Sequence, residues 1–315
     1  MLFRSQKHRS FARGSFIIPK GVHSGGNPVD LVLDYVRMTF HLDIIKYNLM
    51  LLRVKTESRD IMRMHDIIGR IDTAICLADY RASLKLWCRP DIYGEGPLRL
   101  DMESAYHPLI EDPVMNSASL EGGILITGSN ASGKSTFLKM TAVNLIMAQS
   151  LSLCCAKSYK GPYMRLYTSV ALRDDIFKGE SYYTAEIRSL KRILDATAKG
   201  NPMLCVIDEV LRGTNTVERI AASYEIIKAL KTADVIEVVA THDIELTSML
   251  SDFKDHHFRE EISGNDVSFD YKLYDGPATS RNAIKLLKVI GFDDDIVKRA
   301  EEKAAGFLES GVWKA

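Results

Sequence analysis

Apolar positions change their spacing near residue 98. Before it the spacing is helical. Asn27-Pro28 reads as a helix cap followed by a first-turn proline, and the next thirty residues hold neither glycine nor proline, so a long helix is expected. A second helix is expected from about Asp60 to Trp87. There Ile61, Met64, Ile68, Ile71, Ile75, Ala78 and Ala82 recur at alternating steps of three and four, the seam of a helix packed lengthwise on another. These apolar side chains are expected to be core. Arg89-Pro90 ends the helix, and Gly94, Gly96 and Pro97 read as a linker. After Leu98, short apolar runs alternate with helical stretches, the pattern of a parallel sheet covered by helices. Strands are expected at 123–128, 164–171, 203–207 and 235–240, with an antiparallel pair around 255–261 and 267–274; helices are expected at 134–150, 183–198 and 216–231. Thr279 to Leu308 reads as two helices broken at Gly291-Phe292. The fold class is therefore α/β, with an elongated α-helical region before it and a helix-turn-helix after it. The divisions are 1–26, 27–93, 98–278 and 279–315.

Composition changes this picture little. A chain of 315 residues exceeds what one hydrophobic core usually supports, in keeping with two regions. Lysine plus arginine and aspartate plus glutamate are 41 each, so any polyanion contact must come from a local patch. Residues 1–26 carry Arg4, Lys7, Arg9, Arg13 and Lys20 with no acid, the composition of a loose basic arm. The five cysteines lack any C-x-x-C spacing, which indicates neither a zinc site nor a disulfide framework and fits a reducing cytoplasm. No window has 18 apolar residues without charge, so no membrane span or membrane partner is expected.

Candidate chemistry centres on Gly128-Ser129-Asn130-Ala131-Ser132-Gly133-Lys134-Ser135, which fits G-x-x-x-x-G-K-[ST] at every fixed position, and Thr136 continues it. Ile124-Leu125-Ile126 supplies the strand before this P-loop, and a helix follows it. The two glycines permit backbone angles that let successive N–H groups face a phosphate at the helix N-terminus. Lys134 would reach the β- and γ-phosphates, and Ser135 would place its hydroxyl on Mg²⁺. The apolar run Met203 to Ile207 ends in Asp208-Glu209. Asp208 would hold Mg²⁺, and Glu209 would polarise the attacking water as general base. His242, at the end of the strand Val235 to Ala240, lies where ligands bind in such sheets. Ser181 precedes an amphipathic helix carrying Glu186 and can present a hydroxyl to an anion. With P-loop, acids and histidine in one chain, Ser181 would serve a phosphate in a second subunit.

In this order the residues resemble the ATPase domain of MutS-type mismatch-repair proteins, a branch of the ABC ATPases. Tyr106-His107-Pro108-Leu109 is similar to the family's entry to the domain, Thr127-Gly128-Ser129-Asn130 with Gly133-Lys134-Ser135-Thr136 to its P-loop, Asp208 to Thr216 to its Asp-Glu-Ile-Gly-Arg-Gly-Thr-Ser-Thr, and Ala240 to Thr247 to its Ala-Thr-His-Tyr-Phe-Glu-Leu-Thr. The resemblance covers about 100–308, and 28–90 look like the family's lever helices. It implies a P-loop NTPase of ABC type that binds ATP and Mg²⁺, a homodimer joined through the ATPase domains with Ser181 acting in trans and Thr214 to Thr216 at the interface, and a C-terminal dimerisation tail. It also implies double-stranded DNA, held by its backbone, and a repair-protein partner.

Three departures stand out: Ser129 replaces proline, Leu211 stands where glycine is usual, and Val114 or Met115 falls where the family's adenine-stacking phenylalanine would be, leaving Tyr271 as a substitute face. The family's mismatch-reading Phe-x-Glu wedge has matches only at Phe258-Arg259-Glu260 and Phe307-Leu308-Glu309, on the wrong side of the ATPase core, so mismatch intercalation is not carried over. The expected function is ATP binding and hydrolysis coupled to dimerisation and DNA binding, in mismatch repair or recombination-related processing. A nucleotide-gated protein-interaction module that never touches DNA is the alternative. A transporter ATPase fits less well, since no Leu-Ser-Gly-Gly-Gln string occurs.

Overall fold

The computed structural model describes residues 28–310 apart from 130, 171–181, 212–213, 264–265 and most of 279–289. The chain separates into two units, Met1–Ala78 and Asp79–Ala315. In the first, α1 (Pro28–Thr39) is followed by α2 (Leu42–Ser83), a single helix of 42 residues that runs on past Ala78. At 1.5 Å per residue α2 is about 63 Å long.

The break between helices falls at Phe40-His41, and not near Asp60 as the pattern suggested. His41 takes φ of 51°, the left-handed conformation that ends a helix, while its Nδ1 lies 2.7 Å from Met38 O and its N–H donates to the same carbonyl at 3.4 Å. Neither glycine nor proline announces this turn. Glu57-Ser58-Arg59-Asp60 is polar but contains no helix breaker, and the helix passes through it. No residue of α2 is buried, and Ile61, Met64, Ile68, Ile71 and Ile75 are exposed. The seam was read correctly as helical and wrongly as core.

The second unit is built from β1 (Asp91–Tyr93), β2 (Arg99–Ala105), β3 (Asn116–Glu121), β4 (Gly123–Thr127), α3 (Lys134–Leu151), β5 (Ser158–Pro162), β6 (Arg165–Ser169), α4 (Tyr182–Thr197), β7 (Met203–Asp208), α5 (Thr216–Leu230), β8 (Val235–Ala240), α6 (Glu245–Met249), β9 (Lys254–His257), β10 (Glu260–Ser263), β11 (Asp266–Phe269), β12 (Tyr274–Asp275) and α7 (Asp294–Ser310). A six-stranded sheet has the order β12-β9-β4-β8-β7-β6, parallel throughout except for the antiparallel edge strand β12. Every residue of β4, β7 and β8 is buried, as central parallel strands covered on both faces require. Ile124, Ile126, Val206 and Val238 face α3, whereas Leu125, Cys205, Ile207 and Val239 face the side carrying α4, α5 and α6.

Two features differ from expectation. A second sheet, β1-β5-β2-β3, adds Leu100, Met102 and Leu120 to the core on the α3 side. Its strands are short and rich in Asp, Glu and Ser, residues of weak strand preference, and no strand was expected there. The expected hairpin at 255–261 and 267–274 is divided: β9 joins the main sheet parallel to β4, β10 and β11 pair antiparallel, and β12 returns antiparallel to β9. Gly291, with φ of 96°, precedes α7; the first of the two expected terminal helices lies mostly outside the described residues. Among the described residues no helix is long and apolar enough to cross a membrane.

Candidate functional site

The loop between β4 and α3 is fixed from below by its neighbours. Ile126 O accepts from Thr241 N at 2.9 Å and Thr127 O from Phe258 N at 3.0 Å, so strand end, β8 and β9 meet at one point. Gly128 has φ of 143°, and a Cβ there would stand 2.6 Å from Phe258 O; no side chain fits. Gly133, with φ of 115°, turns the chain into α3. Within the loop Ser132 Oγ donates to Ser129 O at 2.9 Å, and Ser129 Oγ donates to the Glu260 carboxylate. From the sequence Glu260 stood out only as the end of the Phe258-Arg259-Glu260 match; its bond to Ser129 was not legible because the two lie 131 residues apart.

Lys134 is buried, with Nζ donating to Gly128 O and Ser129 O at 2.7 Å each. Both ring nitrogens of His242 lie 3.4 Å from the same Nζ, and His242 Nε2 is 2.8 Å from Glu209 Oε1. Asp208 ends β7 and Glu209 follows it, one strand removed from β4, because β8 lies between them. Register puts Asp208 opposite Ala240 and Ile126 opposite Ala240, so the acids, the histidine loop and the P-loop share one end of the sheet. Arg219 of α5 holds Asp243 through two bonds of 2.9 and 2.6 Å, steadying the residue next to His242, and this ion pair raises the Arg219 pKa.

Ser129, Ala131, Ser132, Gly133, Lys134, Ser135, Thr136, Asp208, Glu209, His242 and Tyr271 line one cavity of about 280 Å³. The structure thus brings together most of the site expected from sequence. Asn130 and Ser181 lie outside the described residues. A second cavity, about 300 Å³, adjoins it through Gly133, Thr136 and Tyr271 and is lined by Tyr106, His107, Ile110, Val114, Phe137 and Phe258. Burial, with a smaller effect from Lys139, lowers the His107 pKa, and its Nδ1 accepts from Leu109 N at 3.3 Å. Tyr271 is placed by Asn116, whose amide donates to Tyr271 O at 3.0 Å and accepts from Leu273 N at 2.8 Å. Nothing in the sequence marked Asn116.

Chemically the first cavity offers a helix N-terminus, a lysine, hydroxyls and two carboxylates, a set suited to a metal-bound polyphosphate. The fold and this site define an α/β protein with a P-loop at the carboxyl edge of its sheet. A family model, MutS domain V, matches residues 124–308, and the chain belongs to that family. It is 29% identical over 283 residues to the DNA mismatch repair protein MutS 2 of Haloarcula marismortui, covering 80% of this chain and 29% of that protein. It is 30% identical over 262 residues to the DNA mismatch repair protein MutS of Thermotoga petrophila, covering 79% and 32%, and 31% identical over 251 residues to that of Natronomonas pharaonis, covering 76% and 29%. The chain spans about three-tenths of the length of these relatives.

Proposed function

We propose that the chain is an ATP-hydrolysing module whose nucleotide state governs pairing with a second copy and contact with DNA, in mismatch repair or a related process. The meeting of Lys134, Ser135, Asp208, Glu209 and His242 around one cavity carries this reading. The triphosphate lies along the loop and the N-terminus of α3. Lys134 exchanges its bonds to Gly128 O and Ser129 O for the β- and γ-phosphates. Ser135 and Asp208, hard oxygen donors on one cavity, are the residues that would hold Mg²⁺. Among the described residues no three His, Cys, Asp or Glu side chains come together as a metal cluster. When bound, Mg²⁺ neutralises charge on the β- and γ-oxygens. Glu209 takes the proton of the attacking water, and His242, already paired to it, steadies the carboxylate and donates toward the γ-phosphate.

The apolar second cavity is the place for the purine. Tyr271 and Val114 are among the residues that line it, with no phenylalanine at 114 or 115. Ser181 of a second copy caps the γ-phosphate, so ATP favours the closed homodimer, with Thr214 to Thr216 and the C-terminal tail contributing to the interface. DNA meets the basic arm and Arg59, Arg63, Arg70 and Arg81 through phosphates; Arg59 and Arg63 are exposed on α2, Arg70 pairs with Asp66 at 3.1 Å, and Arg81 lies 4.9 Å from the Trp87 ring centre.

The test is ATP turnover alone and with matched, mismatched and branched duplexes at two salt concentrations, together with a mixture of Lys134→Ala and Ser181→Ala subunits. Steep salt dependence on every duplex, a mismatch preference below about tenfold and recovery of activity in the mixture are expected. Turnover indifferent to DNA at low salt would favour a gated protein-interaction module. Mixed dimers that form without recovering activity would exclude the shared site.

A further inference from the structure

The three residues that follow Asp208 run through two left-handed conformations, with φ of 63° at Glu209 and 59° at Leu211. Side chains disfavour this region, so the surroundings must hold the chain there. Glu209 N donates to Ala240 O at 2.9 Å, which pins the loop to the end of β8. Val210 and Leu211 are buried in the core between the sheet, α4 and α5. The reversal turns the Leu211 N–H into this core, where a donor without an acceptor would be costly. Glu186 Oε1 accepts from it at 2.5 Å, and Glu186 itself is only 2% exposed. A carboxylate on a backbone N–H in such a place is a strong, directional bond.

Only Val210 separates this bond from Glu209, and α4, which carries Glu186, begins directly after Ser181. Leu211 occupies the position where the family string has glycine. Glycine would adopt φ of 59° without hindrance, whereas leucine needs to be kept there. We propose that Glu186 is a positioning residue, a latch from α4 that holds the Glu209–Leu211 loop in the conformation aiming Glu209 into the phosphate cavity. Any shift of α4 is thereby transmitted to the base. This coupling rests on the reading of Glu209 as general base given above; the bond itself does not.

The experiment combines amide hydrogen exchange at Leu211 with steady-state ATP turnover in wild type, Glu186→Ala and Glu186→Gln, with melting temperatures to confirm folding. Glu186→Ala is expected to speed Leu211 exchange more than tenfold and to lower kcat tenfold or more while KM for ATP stays within twofold. Glu186→Gln keeps an acceptor oxygen and is expected to remain within threefold of wild type in both. Unchanged exchange in Glu186→Ala overturns the latch, and faster exchange with unchanged kcat overturns its coupling to Glu209. Equal losses in the Ala and Gln variants would show that the charge of Glu186, and not an acceptor oxygen on Leu211 N, is what counts, and would overturn the latch as a hydrogen bond. A wild-type chain without Lys134-dependent turnover overturns the ATPase reading and the coupling together, whereas exchange at Leu211 still decides the bond.

Discussion

The carboxyl end of the six-stranded sheet and the long helix α2 put their residues to opposite uses. At the sheet end the backbone departs from regular geometry at Gly128, Ala131, Gly133, Glu209 and Leu211, all at positive φ, and the strands below are fully buried. In α2, 42 residues keep one regular conformation and none is buried. Strain persists only where neighbouring structure over-determines it, and the buried strands provide that support for the P-loop and for Glu209. A regular helix needs no such support, so its apolar positions can stand exposed without disturbing the backbone. Regularity of pattern therefore identifies α2 but not what its apolar face does.

The largest effect is expected from Lys134→Ala. It removes a buried cation from the loop mouth and lowers kcat/KM for ATP by roughly 10³-fold, since both binding and transition-state charge depend on it. Retained turnover, measured by phosphate release, would refute the assignment. Glu209→Gln keeps the shape and a partner for His242 but cannot take a proton, so kcat is expected to fall on the order of 10²-fold with ATP affinity unchanged. Equal loss of affinity and rate would make Glu209 a structural or metal-holding group.

The contrast also explains what could be read in advance. β4, β7 and β8 were legible because a strand covered on both faces must be apolar throughout, and α3, α4 and α5 because their boundaries coincide with the P-loop, with the start after Ser181 and with Asn215, whose side chain caps α5 by accepting from Glu218 N at 3.0 Å. Fixed spacing pointed to Lys134 and Ser135, and the ends of two apolar strands pointed to Asp208, Glu209 and His242. The bond of Glu260 to Ser129, the role of Asn116 and the bond from Glu186 to Leu211 were illegible because each depends on tertiary contact between distant segments. The turn at His41 was hidden because its left-handed residue is neither glycine nor asparagine.

A smaller effect is expected inside the sheet. Glu237 of β8 is fully buried beside Cys205 and Gly123, neither oxygen has a hydrogen-bond partner among the described residues, and burial pushes its pKa well up against the weaker opposing pull of Lys231. The folded chain therefore holds a proton that the unfolded chain releases near pH 4.3 or so, about the ordinary glutamate value. Its contribution to stability is full below that value and is lost as pH rises toward the raised folded pKa, by at most about 1.4 kcal/mol per pH unit. Glu237→Gln removes this dependence. Urea unfolding should show the variant gaining on wild type between pH 5.5 and 8; a constant difference would mean that the carboxyl is ionised in the folded chain.

The smallest effect is expected on α2, where Ile71→Lys tests whether exposure means what it implies. Ile71 is 57% exposed, so lysine there exchanges a side chain that removes little area from water for one of slightly better helix propensity. Surface substitutions of this kind change stability by within about 0.5 kcal/mol, whereas truncating a core residue such as Leu204 costs about 2–5 kcal/mol. Thermal unfolding followed by circular dichroism, at two protein concentrations tenfold apart, separates the alternatives. A loss above about 1 kcal/mol at both concentrations would show that the face is covered within the folded chain and would erase the contrast with the sheet. A loss confined to the higher concentration would assign that face to contact between copies, because mass action makes association, and not folding of one chain, depend on concentration.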